Sequence, residues 1–270
     1  MGVVARSKST WLETAIIVAE ALAIAMFVRI FLYQPFNIPS GSMKETLLIG
    51  DYLFVSKLSY GYSRFSFPRT LTLCVPFTGS CSTFRILPDL IKPGTRVFGA
   101  EPKRGDVAVF RKPNDNEVDY IKRVIGLPGD VVQMQHGVVY INGKEVPKKK
   151  IDGAKFRDGF RTADIYEETL PNGVTYHVLD SAKDGELDNT APYKVPEGHY
   201  FMMGDNRDNS SDSRVMTPDG VGFVPYENFI GRADIIFFSG KFDEPGAFTW
   251  YAPWEWPFDV RWSRLFKIVR

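Results

Sequence analysis

A serine near the start of this sequence has a setting that suits a nucleophile. Ser42 lies in the segment 39–43 (PSGSM), a turn bounded by proline and glycine, a few residues after the apolar segment 14–33. A serine hydroxyl attacks a carbonyl carbon when a neighbouring base takes its proton and other donors stabilise the oxyanion. If the apolar segment lies in a membrane, Ser42 is held at the membrane surface, where it would meet a substrate that is also held there.

The base for Ser42 is predicted to be a lysine. The sequence contains no GxSxG, CxxC or HExxH motif, which argues against an α/β-hydrolase, a cysteine enzyme and a metalloenzyme. A lysine acts as a base only when it is neutral, and burial among apolar neighbours lowers its pKa from about 10.4. Lys122 lies in an apolar strand-like run, 120–125; the alternative is a lysine on the solvent face of that strand. The histidines are interpreted as structural: His136, His177 and His199.

The segment 14–33 is long and apolar enough to cross a membrane. As a helix it would be about 30 Å long, which is the thickness of the hydrocarbon core. Glu20 lies inside it with no evident reason, and Arg29 can extend to the interface. Arg6 and Lys8 precede the segment, which predicts a cytoplasmic N-terminus. The alternatives are a cleaved signal peptide and a buried helix, although the apolar run continues beyond the small-x-small sites that cleavage would need.

Composition excludes one class of partner and indicates a compartment. The 33 Lys and Arg residues balance 32 Asp and Glu residues, and the net charge of +1 argues against nucleic-acid binding. Cys74 and Cys81 are predicted to form a disulfide in an oxidising compartment, the alternative being two unrelated thiols. The lysine run 148–150 is interpreted as a solvated loop, the alternative being a binding patch. The aromatic stretch 248–266 is predicted either to face the membrane interface or to pack in a core.

The chain after the apolar segment is predicted to be mostly β. No segment after residue 33 shows a long helical periodicity. Strand-like runs recur between turn residues at 51–56, 106–110, 119–125, 131–135, 138–141, 165–170, 174–179, 199–203 and 233–238. The expected organisation is a cytoplasmic N-terminus (1–13), a single transmembrane helix (14–33), a β-sheet or β-barrel-like catalytic domain in two parts (34–147, with a loop insert at 60–95, and 196–270) and an inserted smaller β subdomain (148–195).

Several blocks of this sequence resemble the bacterial type I signal peptidases. The segment 39–51, with PSGSM and LLIGD, resembles the nucleophile box of that family, and DYIKRVIGLPGD at 119–130 resembles the lysine box. GDNRDNSSDSR at 204–214 resembles the third box. The resemblance continues in GFVP at 222–225, GRA at 231–233 and RWSR at 261–264. The chain has Lys-Glu-Thr at 44–46 where the family often has x-Pro-Thr, and it has one evident span where some members have two.

The resemblance implies a role for each matching residue. Ser42 would be the nucleophile and Lys122 the general base of a Ser–Lys dyad. Ser40 would donate its hydroxyl to the oxyanion hole beside the backbone N–H of Ser42, and Ser210 would hydrogen-bond Lys122. Gly204 would let the chain pass close to the dyad. The ionic pairs that brace the site would come from Arg123, Asp205, Asp212 and Arg214. The pocket for small substrate residues would be lined by Phe36, Ile38, Met43, Tyr120 and Ile121.

The implied activity is that of a membrane-bound serine endopeptidase. It would remove N-terminal signal peptides from exported preproteins after a small-x-small motif, without a metal or an organic cofactor. Its partners would be preproteins, membrane lipid and the secretion translocon. The protein would cross the cytoplasmic (inner) membrane once, with the catalytic domain on the outer, extracytoplasmic face. Two alternatives stay open: a relative that processes a single precursor, and an inactive anchored β-domain that binds envelope partners. Self-cleaving repressor peptidases also use serine and lysine, but they are soluble and bind DNA.

Overall fold

One apolar helix precedes a body made of short strands. The structure is a computed structural model that describes residues 10–67, 70–74, 81–85, 91–115, 117–158, 161–181, 185–217, 220–244, 246–249 and 252–270. Helix α1 (Thr10–Phe27) is continued by a π-helix (Val28–Leu32). The 22 residues Trp11–Leu32 are the one candidate membrane span among the described residues, and none of the span is buried against the rest of the protein. Such a helix is about 33 Å long, enough for a bilayer. Arg6 and Lys8, which were used to predict orientation, lie outside the described residues.

Strands account for most of the remaining described chain. In chain order they are β1 (Tyr33–Asn37), β2 (Asp51–Ser56), β3 (Thr70–Cys74), β4 (Cys81–Arg85), β5 (Val107–Arg111), β6 (Asp119–Gly126), β7 (Val131–Gln135), β8 (Val138–Ile141), β9 (Lys144–Glu145), β10 (Lys148–Asp158), β11 (Arg161–Thr169), β12 (Thr175–Asp180), β13 (Tyr193–Lys194), β14 (His199–Met203), β15 (Val224–Pro225) and β16 (Phe229–Ser239). Short helical segments are Gly41–Met43, Arg207–Asn209, Tyr226–Asn228, Pro253–Glu255, α2 (Trp256–Asp259) and Trp262–Arg264. The predicted class, mostly β with one apolar N-terminal helix, is confirmed.

A seven-stranded sheet forms the main body, in the order β1-β2-β16-β5-β6-β14-β15. Neighbouring strands in it are antiparallel. A four-stranded sheet has the order β13-β7-β8-β9, and a three-stranded sheet, β10-β11-β12, lies within the segment predicted as an inserted subdomain. β3 and β4 form a separate hairpin within the segment predicted as a loop insert.

The core is divided among clusters that share the strands of the main sheet. Successive side chains of a strand point to opposite faces, so one strand supplies two clusters. In β6, Val124 packs with Tyr60 and Phe229, whereas Ile125 packs with the four-stranded and three-stranded sheets. A third cluster, which includes Leu53, lies below the turn of residues 41–43. β6 is therefore held on both faces, and the side chains that alternate along it have fixed positions.

The lysine run departs from the prediction. Residues 148–150 are expected in a solvated loop; the loop is wrong, because they begin β10, but Lys149 and Lys150 are exposed to solvent as expected. Lys148 lies opposite Glu168 in the register of β10 with β11. The Lys148 amine also pairs with Asp180 at 2.5 Å and donates to Gly137 O at 2.8 Å. The partners come from positions 11 to 32 residues away, so the local composition did not reveal them.

Two further expectations concern the cysteines and the C-terminal aromatics. Cys81 is disulfide-bonded, and Cys74, the other cysteine of the sequence, is its register partner in the β3–β4 hairpin, as predicted.

The described aromatic residues of the stretch 248–266 do not form a core. Most of them are largely exposed, Trp254 at 70% and Phe258 at 78% for example. Residues 250 and 251 of this stretch lie outside the described residues.

Candidate active site

Ser42 lies in a short turn that two parts of the chain hold in place. The turn, Gly41–Met43, follows β1, and the Ser42 side chain is buried. From the other side, the backbone N–H of Asn206 donates to Ser42 O at 3.1 Å. The side-chain amide of Asn206 donates to Gly41 O at 2.9 Å. Because the carbonyls before and at the serine are both held, the hydroxyl has a defined direction.

Lys122 reaches this hydroxyl from β6. Lys122 Nζ and Ser42 Oγ are 2.6 Å apart, which is a hydrogen bond between residues separated by 80 positions. The amine also donates to Ile121 O at 3.1 Å. Lys122 is 3% exposed, so it is not a lysine on the solvent face of the strand. A serine hydroxyl and an amine, both buried, are thus within proton-transfer distance.

The environment of Lys122 favours the neutral amine. Burial is the largest influence and lowers the pKa of Lys122 from 10.5 to about 8; Asp212 and Asp205 raise this pKa, and Arg214 lowers it. At pH 7 a lysine with a pKa of about 8 is neutral in about one molecule in ten, whereas a pKa of 10.5 leaves about one in 3,000. The site therefore raises the fraction of a competent base by about 300-fold.

Ser40 and Ser210 flank the pair in different ways. Ser40 Oγ lies 3.4 Å from Ser42 Oγ on the exposed side of the turn. The hydrogen bond expected between Ser210 and Lys122 is not formed. The buried Ser210 hydroxyl lies near the Asp212 carboxylate and helps to lower the pKa of Asp212, but it makes no hydrogen bond of normal geometry in the part of the chain that the structure describes. It follows the turn of residues 207–209 and faces the backbone at Gly204, and Lys122 finds its acceptors elsewhere.

Gly204 brings the end of β14 against the turn Gly41–Met43 that carries Ser42. A Cβ at this position would lie 2.2 Å from Ser210 Oγ and 2.6 Å from Ser42 O, both well inside van der Waals contact. The backbone N–H of Gly204 donates to Asp212 at 3.0 Å. Any larger residue at 204 would displace the backbone that carries Ser42.

Two buried ion pairs lie beside the Ser42–Lys122 pair. Arg123, next to the lysine on β6, makes a two-pronged contact with Asp205 at 2.9 and 2.7 Å. Arg214 makes a similar contact with Asp212, with both distances 2.9 Å. Burial alone would raise the pKa of Asp212, but the Arg214 charge and hydrogen bonds from Arg214 and Gly204 hold that pKa below its usual value. Asp212 is therefore ionised, and the pairs hold their loops in one geometry.

A third buried ion pair connects the three-stranded sheet to this region, and the sequence had not indicated it. Arg207 donates hydrogen bonds from both terminal guanidinium nitrogens to the carboxylate of Glu168 on β11, one of them at 2.6 Å. Tyr176 of β12 donates to the same carboxylate at 2.9 Å. The Tyr176 ring lies 4.1 Å from the Arg123 guanidinium. Arg207 belongs to the third sequence block, but Glu168 lies in a region without a motif, so only the fold reveals the pair.

An open cavity of about 370 Å³ adjoins Ser42 and Lys122. Four of the predicted pocket residues line it, namely Phe36, Ile38, Tyr120 and Ile121. Met43 does not, because its side chain is fully buried in the core below the turn. Lining residues that had not been predicted are Asn37, Pro39, Gly41, Val109, Val118, Asp119, Asn209 and Ser211. Among the described residues, no group of three or more His, Cys, Asp or Glu side chains could hold a metal ion.

The segment 44–46, where the sequence departs from the family pattern, has an unusual backbone. Glu45 has a φ of 52°, in the left-handed region. Proline cannot adopt this conformation, because its ring fixes φ near −65°. The Glu45 carboxylate lies 3.5 Å from His177 Nδ1 on β12, and Lys44 Nζ lies 6.0 Å from the Phe156 ring centroid. The loop after Ser42 is thus in contact with the three-stranded sheet.

Comparison with known proteins points to one family. The family model described as "Signal peptidase, peptidase S26" matches residues 11–238. Signal peptidase I of Rickettsia typhi is 42% identical over 266 residues, which cover 91% of this chain and 89% of the relative. Signal peptidase I of Rickettsia prowazekii is 40% identical over 269 residues, covering 92% and 90%. A crystal structure of a signal peptidase I from Enterococcus faecalis is 26% identical and covers 49% of this chain and 97% of that chain, with a TM-score of 0.30.

Proposed function

From the premise that the chain belongs to the signal peptidase family, peptidase S26, we propose that it is a serine peptidase whose nucleophile is Ser42 and whose general base is Lys122. The observation that carries the proposal is the 2.6 Å hydrogen bond between Ser42 Oγ and Lys122 Nζ. The lysine is 3% exposed and has a pKa of about 8, because burial disfavours its charged form. A serine beside a neutral amine is an activated nucleophile.

The first half of the reaction forms an acyl-enzyme. The Ser42 hydroxyl donates its proton to neutral Lys122 while the oxygen attacks the carbonyl carbon of the scissile peptide bond. Oxyanion donors are the backbone N–H of Ser42 and the Ser40 hydroxyl, which lies 3.4 Å from Ser42 Oγ. The Lys122 ammonium then gives its proton to the leaving amine, the C–N bond breaks, and Ser42 remains esterified.

The second half of the reaction restores the enzyme. Lys122, neutral again, takes a proton from a water molecule that attacks the ester. The tetrahedral intermediate collapses, Ser42 recovers its proton from the lysine, and the carboxylic acid product leaves. Arg123–Asp205 and Arg214–Asp212 act through position, because they hold the loops on each side of Lys122. Gly204 keeps the backbone close enough for this arrangement.

The cavity supports a substrate with small side chains next to the cleaved bond. Phe36, Ile38, Tyr120 and Ile121 give it an apolar lining, and its volume of about 370 Å³ is at the small end for ligand pockets. The proposed substrates are preproteins with N-terminal signal peptides, cleaved after a small-x-small motif. The helix Trp11–Leu32 anchors the enzyme in the same membrane as the precursor, which raises their effective concentration. The proposed orientation places residue 10 towards the cytoplasm and the sheets outside, near lipid and the translocon.

The test compares wild type with Ser42→Ala and Lys122→Ala on a purified preprotein. Lys149→Ala, at an exposed lysine of β10, is the matched control. The new N-terminus is read by mass spectrometry. Wild type and control should cut after a small-x-small site, and both site variants should lose at least about 1,000-fold in rate, as for other catalytic serines and bases. Cleavage by Lys122→Ala at the wild-type rate would exclude the lysine as base.

A further inference from the structure

The apolar helix passes into the main sheet without a linker. The π-helix ends at Leu32, and β1 begins at the next residue, Tyr33. β1 pairs with β2 along its whole length, and the nucleophile turn follows it. Flexible linkers are rich in glycine and serine, and the described stretch 28–37 contains neither residue. The path from the span to Ser42 is therefore structured throughout.

The last carbonyl groups of the span bond to donors of the sheet domain. A helix end leaves its final carbonyls without partners in the helix, and an unsatisfied carbonyl at membrane depth is costly. Lys57 occupies two of them: its Nζ donates to Ile30 O at 3.1 Å and its backbone N–H to Leu32 O at 3.0 Å. The Tyr62 hydroxyl donates to the carbonyl between them, that of Phe31. Successive carbonyls at the end of the span are thus tied to the catalytic domain.

The lysine of this connection is unusual for its burial. Lys57 is 2% exposed, and its amine donates to a further carbonyl, that of Ser66, at 2.6 Å. Its hydrogen-bond acceptors in the described part of the chain are backbone carbonyls. Burial, with the charge of Arg29 adding to it, lowers the pKa of Lys57 to about 8. The mechanism above does not use this amine, and a cation at a helix C-terminus interacts favourably with the helix dipole.

The loop that carries Tyr62 is itself rigid. Tyr62 and Val97 exchange two backbone hydrogen bonds of 2.9 Å. The Arg96 guanidinium donates to the carbonyls of residues 60–61, at 2.8 and 3.0 Å. The ring of Phe31 meets the Tyr62 ring edge to face, with centroids 6.4 Å apart. The contact between span and domain is therefore a fixed surface on both sides.

We infer that Lys57 and Tyr62 form a rigid joint that holds Ser42 at a set height above the membrane, so that the joint selects which peptide bond of an anchored precursor is cut. The inference rests on the proposed function, in which the substrate is a membrane-held precursor. Ser42 follows Leu32 by ten residues, so it lies at most about 36 Å from the end of the span. Moving a scissile bond by three residues shifts it by about 10 Å, whereas a misplacement of 1 Å can cost about 100-fold in rate.

The test uses the full chain in lipid vesicles and two precursors. One has its small-x-small site at the natural distance from its apolar segment, and the other has the site three residues further away. Lys57→Met and Tyr62→Phe are compared with wild type and with Tyr140→Phe, which removes a tyrosine hydroxyl bonded to Glu145 in the four-stranded sheet. Wild type and Tyr140→Phe should prefer the natural site by at least about tenfold, and the joint variants by less than about threefold. Cleavage of a short soluble peptide should stay within about twofold of wild type in all four proteins.

An unchanged preference in both joint variants would overturn the inference. So would an equal loss of soluble-peptide and precursor cleavage, because Lys57 and Tyr62 would then support the fold rather than the height. A second measurement does not need activity. A donor dye on Lys144→Cys, an exposed position of β9, and acceptors at the lipid headgroups report the height by energy transfer. The distribution of transfer efficiencies should be narrow for wild type and broad for the joint variants. If the joint variants show this broadening but wild type cuts no precursor, the proposed function is refuted and the joint is supported. If wild type and the joint variants give the same distribution, the joint is refuted.

Discussion

The pH dependence of cleavage is the sharpest consequence of the buried lysine. In the proposed mechanism Lys122 is a base only when it is neutral, so activity should rise with pH through its pKa of about 8, which burial lowers. The neutral fraction predicts a rise in kcat/KM of about ninefold from pH 6 to 7, about fivefold from pH 7 to 8 and less than about twofold from pH 8 to 9. A lysine with an ordinary pKa would instead give a rise in kcat/KM of about tenfold per pH unit up to about pH 10.

A single substitution should move this profile in a known direction. Asp212 and Asp205 raise the pKa of Lys122 and Arg214 lowers it, so Asp212→Asn removes the larger of the two acidic influences and leaves Arg214 opposed by Asp205 alone. The midpoint should shift to lower pH by about one unit, the usual effect of one nearby charge. Asp234→Asn is the matched control, because Asp234 pairs with the partly exposed Arg232 and does not act on Lys122.

The assay is kcat/KM for a short soluble peptide in detergent from pH 5.5 to 10. Lys57 also has a pKa lowered to about 8, by burial and by Arg29, so the same profile is recorded for Lys57→Met. That variant should keep the wild-type midpoint, since Lys57 does not contact the site. A wild-type profile that is flat from about pH 6 to 10, or an Asp212→Asn midpoint that moves to higher pH, would refute a titrating Lys122 base.

Three further predictions concern packing. Gly204→Ala should lower kcat by about 100-fold with a smaller change in KM, because a Cβ would lie 2.6 Å from Ser42 O and displace the Ser42 backbone. Unaltered kinetics would contradict this contact. Glu168→Gln should lower the free energy of unfolding by about 3–5 kcal/mol, because it breaks a buried ion pair. Asp164→Asn, which removes a solvent-exposed ion pair, should leave the midpoint of the same denaturant titration almost unchanged. Met43→Ala should lower the free energy of unfolding by about 2–5 kcal/mol, because it leaves a cavity in the core, whereas Phe36→Ala, in the cavity lining, should alter substrate preference. If Met43→Ala altered substrate preference at full stability, Met43 would belong to the pocket and not to the core.

The strands were predictable where their pattern is local. The alternation and turn residues predict strands at 131–135 and 138–141, and the observed β7 and β8 have the same bounds. β10 was not predictable, because the carboxylates that pair with its lysines, those of Asp164 and Asp180, lie far along the chain. The strand of Lys122 was evident, but an alternating strand has two faces, and only the packing of the domain decides which one is buried.

The residues of the site were likewise predictable where short stretches of sequence identify them. The sequence blocks indicated Ser42, Lys122 and the two arginine–aspartate pairs, all of which the fold brings together. The direction of a side chain was harder to foresee. Met43 turns into the core and the Ser210 hydroxyl turns towards Gly204, because steric fit in the folded state decides these orientations.

The left-handed backbone at Glu45 limits how this enzyme can change by mutation. A chain with proline at this position must hold φ near −65°, and this chain holds +52°. A direct exchange of glutamate for proline would force the loop beside Ser42 into another path and would break the contact with His177. The two residues therefore belong to two loop conformations that a single substitution cannot connect. An evolutionary step between them needs compensating changes in the loop or in the three-stranded sheet, so lineages with either residue are expected to keep it.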